Sequence, residues 1–369
     1  MKIMSHGRRL TRIASLWAVT ACNGSDAVLG SGGGGPPAGA ASSGDAGGDT
    51  SEAGATSGDA AGTQDSLGIV DAAGAGDSAG QERAIAVSVG GFACALTAGG
   101  AVQCWGYPLG NSSGPFSAIP VPVAGLASGV TSVSVGGQFA CALMANGGVQ
   151  CWGDNSSGQL GNGSTVASSA VAVPVTGLTS GVTALSVGYP TACAVTASGS
   201  VQCWGLHFGS DSGASAIPVR ITGLASGVTA VSVAVSIGFS ACALTASGEL
   251  KCWGTIAQSP FVSGNSVPAP VAGLTSGVTA VSVGTVSACA LTANGGVSCW
   301  GDVSPTMVLP TYPPAPVTGF ASGVTAVSVG DYYACALTAN GGVQCWGYYG
   351  SDQSAVPVSV PGFAGSHNP

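Results

Sequence analysis

VTAVSVGTVSACALTANGGVSCWG, residues 278–301, is the stretch whose reading decides the fold. Val-Thr-Ala-Val-Ser-Val alternates apolar and small polar side chains, the period of a half-buried strand. Cys289-Ala290-Leu291 begins a second strand. Thr-Ala-Asn-Gly-Gly is a turn built from residues that tolerate positive φ, and Val297-Ser298-Cys299-Trp300 returns as a third strand. The two cysteines flank the turn symmetrically and so face each other across the hairpin. Cross-strand Cβ atoms lie about 4.5–5.5 Å apart, and slight closure permits a disulfide. On the chain-entropy model each such small loop stabilises by about 2–3 kcal/mol. A fourth strand carries proline, as in Val267-Pro268-Ala269-Pro270-Val271 of the preceding unit. Missing N–H donors suit it to an edge.

The unit recurs six times. Cys94 is paired with Cys104, Cys141 with Cys151, Cys193 with Cys203, Cys242 with Cys252, Cys289 with Cys299 and Cys335 with Cys345. Partners are ten residues apart, and Trp-Gly follows the second cysteine of every pair. Successive units are offset by 46 to 52 residues. Zinc is a poor reading of these cysteines, because there is no C-x-x-C and the repeat region holds only His207 and His367. Four strands per unit and six units make an all-β chain, a β-propeller of six four-stranded blades. The first unit opens on a strand that matches the one missing after Pro361-Gly362-Phe363, so the N-terminal strand is expected to complete the last blade and close the ring. Trp105, Trp152, Trp204, Trp253, Trp300 and Trp346 are expected to pack between blades.

With G-x-x-x-C-A-L followed by N-G-G-V-x-C-W-G, the units resemble RCC1-type repeats as they occur in secreted bacterial proteins. The second unit adds Gly153-Asp154-Asn155-Ser156-Ser157-Gly158-Gln159-Leu160-Gly161, which is similar to that family's W-G-x-N-x-x-G-Q-L-G signature. The resemblance covers residues 84–365. It implies a propeller, whereas best-known family members have seven blades and this chain has six units. Only one unit keeps G-Q-L-G, and the histidine often found before the second strand is replaced. The nuclear exchange-factor role of the founding protein does not carry over to an exported, acidic chain.

Composition agrees with this architecture. The 369 residues include 63 glycines and 20 prolines but only seven Lys and Arg against fifteen Asp and Glu, a formal net charge of −8. Clustered cations for nucleic-acid phosphates are absent, and so are the Leu, Glu, Lys and Arg that long amphipathic helices need. Residues 1–21 read as a signal peptide, with Lys2, Arg8, Arg9 and Arg12 ahead of a short apolar run. Val19-Thr20-Ala21-Cys22 resembles the bacterial lipobox, which implies cleavage before Cys22 and its lipidation. Residues 22–83 are Gly, Ala, Ser and Asp with almost no large apolar side chain, and read as a disordered acidic tether. Residues 84–369 form the propeller domain. The expected location is the cell envelope or surface, held by the lipid anchor alone.

In an up-and-down blade the A–B and C–D loops emerge on one face, and the B–C turn and D–A connection on the other. The second face is nearly invariant here, while the first differs in every unit, as expected where a rigid scaffold presents a binding site. Candidate residues there are Tyr107, Phe116, Phe139, Tyr189, Phe208, Phe261, Tyr312, Tyr332, Tyr333, Tyr348 and Tyr349, with Asp154, Asp211, Asp302, Asp331 and Asp352. Aromatic side chains supply large, stiff contact area. No calcium loop of the D-x-D-x-D-G kind occurs. No catalytic residue, metal ligand or cofactor is assigned, since acid–base work wants a positioned His, Lys or carboxylate pair. The expected role is a non-enzymatic, monomeric protein-binding scaffold. The alternative is a polysaccharide-binding or lyase-type propeller of the envelope.

Overall fold

The computed structural model describes residues 83–106, 117–164, 166–206, 214–234, 240–254, 265–285, 287–301, 311–330, 332–349 and 352–362. Each unit folds as an antiparallel blade with its four strands in chain order. In the first, these are β1 (Ala84–Val89), β2 (Phe92–Thr97), β3 (Val102–Gly106) and β4 (Ser117–Pro122). Five further blades follow over residues 130–174, 182–220, 228–270, 278–316 and 324–359.

The cysteine hairpins have the expected register. Cys94 is directly opposite Cys104, and Cys141 opposite Cys151. Cys193 likewise faces Cys203, and Cys242 faces Cys252. Cys289 and Cys299, then Cys335 and Cys345, complete the series. All six disulfides are formed between these partners, with Cα atoms 4.0–4.1 Å apart. So many disulfides fit an oxidising, extracellular environment. The glycine after each tryptophan stands opposite the first residue of the second strand and takes positive φ, from 86° to 112°. At Gly153 a Cβ would stand 2.5 Å from the Gln138 carbonyl oxygen, so no side chain fits.

One expectation is corrected. The N-terminal strand does not complete the last blade: β1 pairs with β2 in its own blade. Blade 6 has a first strand of its own, Val324–Val329, paired with Tyr333–Thr338. The two-residue connection at Gly90-Gly91 explains this, because a sequence-adjacent hairpin closes at far lower entropic cost than a pairing between chain ends.

Blades pack face to face. The disulfide, Leu and Val of one blade form a dry cluster with the first strand, paired alanines and tryptophan of the next. Between blades 2 and 3, for example, Cys141, Leu143, Val149 and Cys151 enclose Leu185, Ala192, Ala194 and Trp204. Cys193 and Cys203 pack in the same way under Trp253, and Cys242 and Cys252 under Trp300. Equivalent clusters join blades 1 and 2, and 5 and 6. Trp152, Trp204, Trp253, Trp300 and Trp346 are buried in these clusters, as expected of inter-blade packing.

The innermost strand of a blade has a partner on one edge only, so its other N–H groups need acceptors. A serine of the preceding blade supplies one. Val135, Val187, Val233, Val283 and Val329 donate to the hydroxyls of Ser88, Ser134, Ser186, Ser232 and Ser282 at 3.0–3.1 Å. Two positions further along, backbones touch. A Cβ on Gly136, Gly188 or Gly284 would stand within 2.0 Å of a carbonyl oxygen in the next blade. Outer strands carry the prolines and expose Ile119, Ile217, Val267 and Val356 at the rim.

Replacing Ser134 by Ala strands the Val187 N–H in a buried position. Urea denaturation should register a loss of about 1–3 kcal/mol, whereas Ser169→Ala on the rim should change stability by less than about 0.5 kcal/mol.

Candidate binding face

Hydrogen bonds assign the connections to two faces. On one face the B–C turns of blades 1 to 5 are tied to the D–A connections beside them: Val149 N–H donates to the Leu178 carbonyl, and Val182 N–H to the Gly147 carbonyl, both at 2.9 Å. The same bonds recur at Val102, Val201, Leu250 and Val297, which explains why this face keeps one sequence throughout. On the opposite face the A–B and C–D connections meet. Asp154 N–H donates to the Gln138 carbonyl at 2.9 Å, and Leu206 N–H to the Pro190 carbonyl at 3.1 Å. The described ends of these connections in blades 2 and 3 therefore share one side.

Blade 2 has the most completely described of these loops. Asp154 is buried, and its carboxylate accepts from Ser156 N–H at 3.1 Å, Ser156 Oγ at 2.9 Å and Gln159 Nε2 at 2.8 Å. Asn155 donates from Nδ2 to the Ser164 and Val166 carbonyls and accepts from Leu160 N–H. The loop then reaches blade 3, where Trp204 Nε1 donates to the Gln159 carbonyl at 2.8 Å. Gly163 N–H adds a bond to the Ala216 carbonyl at 2.9 Å. The G-Q-L-G segment is thus a strut between blades.

The candidate residues fall into three groups. Phe139 is fully buried in the core between blades 2 and 3, so it supports the face from below instead of lining it. It stands opposite Gly153 in the cysteine hairpin. Asp154 serves the loop network just described, and Tyr333 is buried as well. Tyr332 is 48% exposed, and Tyr189 is half-buried with its ring against Gly137 of blade 2. Tyr107, Phe116, Phe208, Asp211, Phe261, Asp302 and Asp331 lie outside the described residues. For Tyr312, Tyr348, Tyr349 and Asp352 the backbone is described as strand, with Tyr348 opposite Gln353 and Tyr349 opposite Asp352. Cys22 also lies outside the described residues.

Gln138 joins this face although it was not among the expected residues. It is exposed between Gly137 and Phe139, and its carbonyl accepts from Asp154. The signal was available: the A–B loop of blade 2 is one residue longer than that of blade 1, VGGQFAC against VGGFAC. Among the described residues no group of three or more His, Cys, Asp or Glu stands close enough to hold a metal ion. No helix among them is long and apolar enough to cross a membrane.

Residues 130–159 and 324–352 match the family model for the Regulator of chromosome condensation (RCC1) repeat. Human WBSCR16 has a similar structure, with a TM-score of 0.65 at 20% identity over 76% of this chain and 82% of that one. Prp20p from Saccharomyces cerevisiae gives 0.60 at 15% identity over 74% of this chain and 76% of its own. Yeast RCC1 (Prp20), in a structure with Kap60, gives 0.60 at 17% identity over 75% and 74%. No curated protein matches the sequence.

Substituting Asp154 by Ala leaves three donors without their acceptor. Tryptophan fluorescence during urea unfolding should report a loss of about 1–3 kcal/mol.

Proposed function

We infer that this propeller of RCC1-type repeats is a protein-binding module whose variable-loop face contacts the partner. The observation that carries the reading is the contrast between its two faces. One repeats the same hydrogen bonds in blade after blade, and the other changes length and composition in every blade. A rigid frame with diversity confined to one side is how binding sites are commonly presented. Tyr332 and Tyr189 supply the aromatic contact area that interface cores favour. Protein ligands are also on record for this fold: Prp20p is described with binding properties to Gsp1p and histones, and yeast RCC1 is seen bound to Kap60. The function is binding without catalysis.

The proposed setting is the bacterial cell envelope. Cys22 carries the lipid, residues 1–21 are removed as a signal, and residues 22–83 form a tether to the propeller at 84–369.

Two measurements test these statements separately. Using the full chain as bait in envelope extracts, substitution of Tyr332, Tyr348, Tyr349 and Phe208 by Ala should abolish partner capture while the melting temperature stays unchanged. A matching fall in melting temperature would make those side chains structural and sink the binding reading. In detergent phase partitioning, Cys22→Ser should move the protein from the detergent to the aqueous phase, and an unchanged distribution would remove the lipid anchor.

A further inference from the structure

Five inter-blade cores are present among the described residues, and none joins blade 6 to blade 1. The two end faces nevertheless carry every residue type such a core uses. On blade 6, Cys335, Leu337, Val343 and Cys345 are only half-buried. Their counterparts in blade 2, Cys141, Leu143, Val149 and Cys151, are buried beneath blade 3. On blade 1, Val87 is 41% exposed, where the equivalent Val133 and Leu185 are 4% and 0% exposed. Ala93 and Trp105 are half-buried too, although Ala140 and Trp152 are buried in blade 2. The close backbone contact also changes at this end. A Cβ on Gly330 would meet the Tyr333 ring of its own blade, in place of a carbonyl from the next.

Repeat arrays that end in water cap their terminal units with polar faces. Among the described residues these ends carry no such cap. Blade 1 has no charged residue between positions 84 and 122, and blade 6 has only Asp331 and Asp352. We propose that the two end faces are the halves of a sixth interface that forms between molecules, the blade 6 face of one chain seating the blade 1 face of a second copy. Complementarity of this pair is demonstrated five times inside the chain. The five existing interfaces show the contacts that the sixth would use. Each is held by a serine–amide bond and most by a backbone contact with no slack. The contact is heterologous, so each copy keeps one free end and association continues end to end.

The test uses the full chain with Cys22→Ser, with Val87→Asp to spoil one face and Leu337→Asp to spoil the other. In sedimentation velocity the parent protein should grow in size with concentration. Each Asp variant alone should associate more than about tenfold more weakly, since a carboxylate would be buried unpaired. An equimolar mixture of the two should form dimers and stop there, through the one intact pair of faces. Non-reducing mass spectrometry establishes that all six disulfides are intact in each variant. An independent reading comes from the Cys335–Cys345 bond, whose rate of reduction by a small thiol should fall as parent protein concentration rises. A parent that stays monomeric throughout, a mixture that does not dimerise, or a reduction rate independent of concentration would each overturn the proposal. A monomeric parent destabilised by Val87→Asp would show that the ring seals on itself.

Discussion

A single blade of this protein cannot bury either of its own faces, and that constraint shapes everything else. Its cystine lies on one face, and the neighbouring blade must present small side chains to let the sulfur atoms approach. Ala192 and Ala194 do this for Cys141–Cys151, and Ala140 and Ala142 do it for Cys94. The tryptophan then fills the space beside the sheet, and the inner strands come close enough for serine–amide bonds and glycine contacts. A blade flanked by dry interfaces has little surface left for ions. This accounts for a propeller with so few charged side chains, where Lys251 and Glu249 form the ion pair found among the described residues, at 3.6 Å on the surface. Such a partly exposed, solvent-accessible pair contributes little to stability.

The parts of the fold that recur locally were legible from the chain itself. Cysteines ten residues apart on either side of a Gly turn have one sensible geometry, and six copies of it leave small room for another architecture. The destination of the N-terminal strand was not legible, because the same alternating pattern suits pairing with β2 or with a strand from the far end. Loop length decided it. Side-chain direction at the candidate face was legible only in part. Phe139 and Tyr333 stand where a loop hands over to a strand, and there neither the period of two nor turn chemistry predicts which way a ring points. Asp154 illustrates a second limit. As one of the few carboxylates on the variable side it suggested a ligand, yet a short polar segment folds back and satisfies it. The cue was the run of Asn, Ser, Gly and Gln immediately after it, which supplies donors at turn spacing.

The blade 2 strut has a consequence for how the array comes apart. Trp204 has an acceptor for its indole N–H, whereas the indole nitrogens of Trp152 and Trp300 are buried without one. Interfaces that look alike in their apolar packing therefore differ in polar satisfaction, by an amount comparable to one unmade hydrogen bond each. In a quasi-one-dimensional array, stability is a sum over neighbours, so the best-coupled pair acts as a nucleus from which order spreads. Opening the interface between blades 2 and 3 must therefore break the strut's hydrogen bonds, which the interfaces at Trp152 and Trp300 do not make.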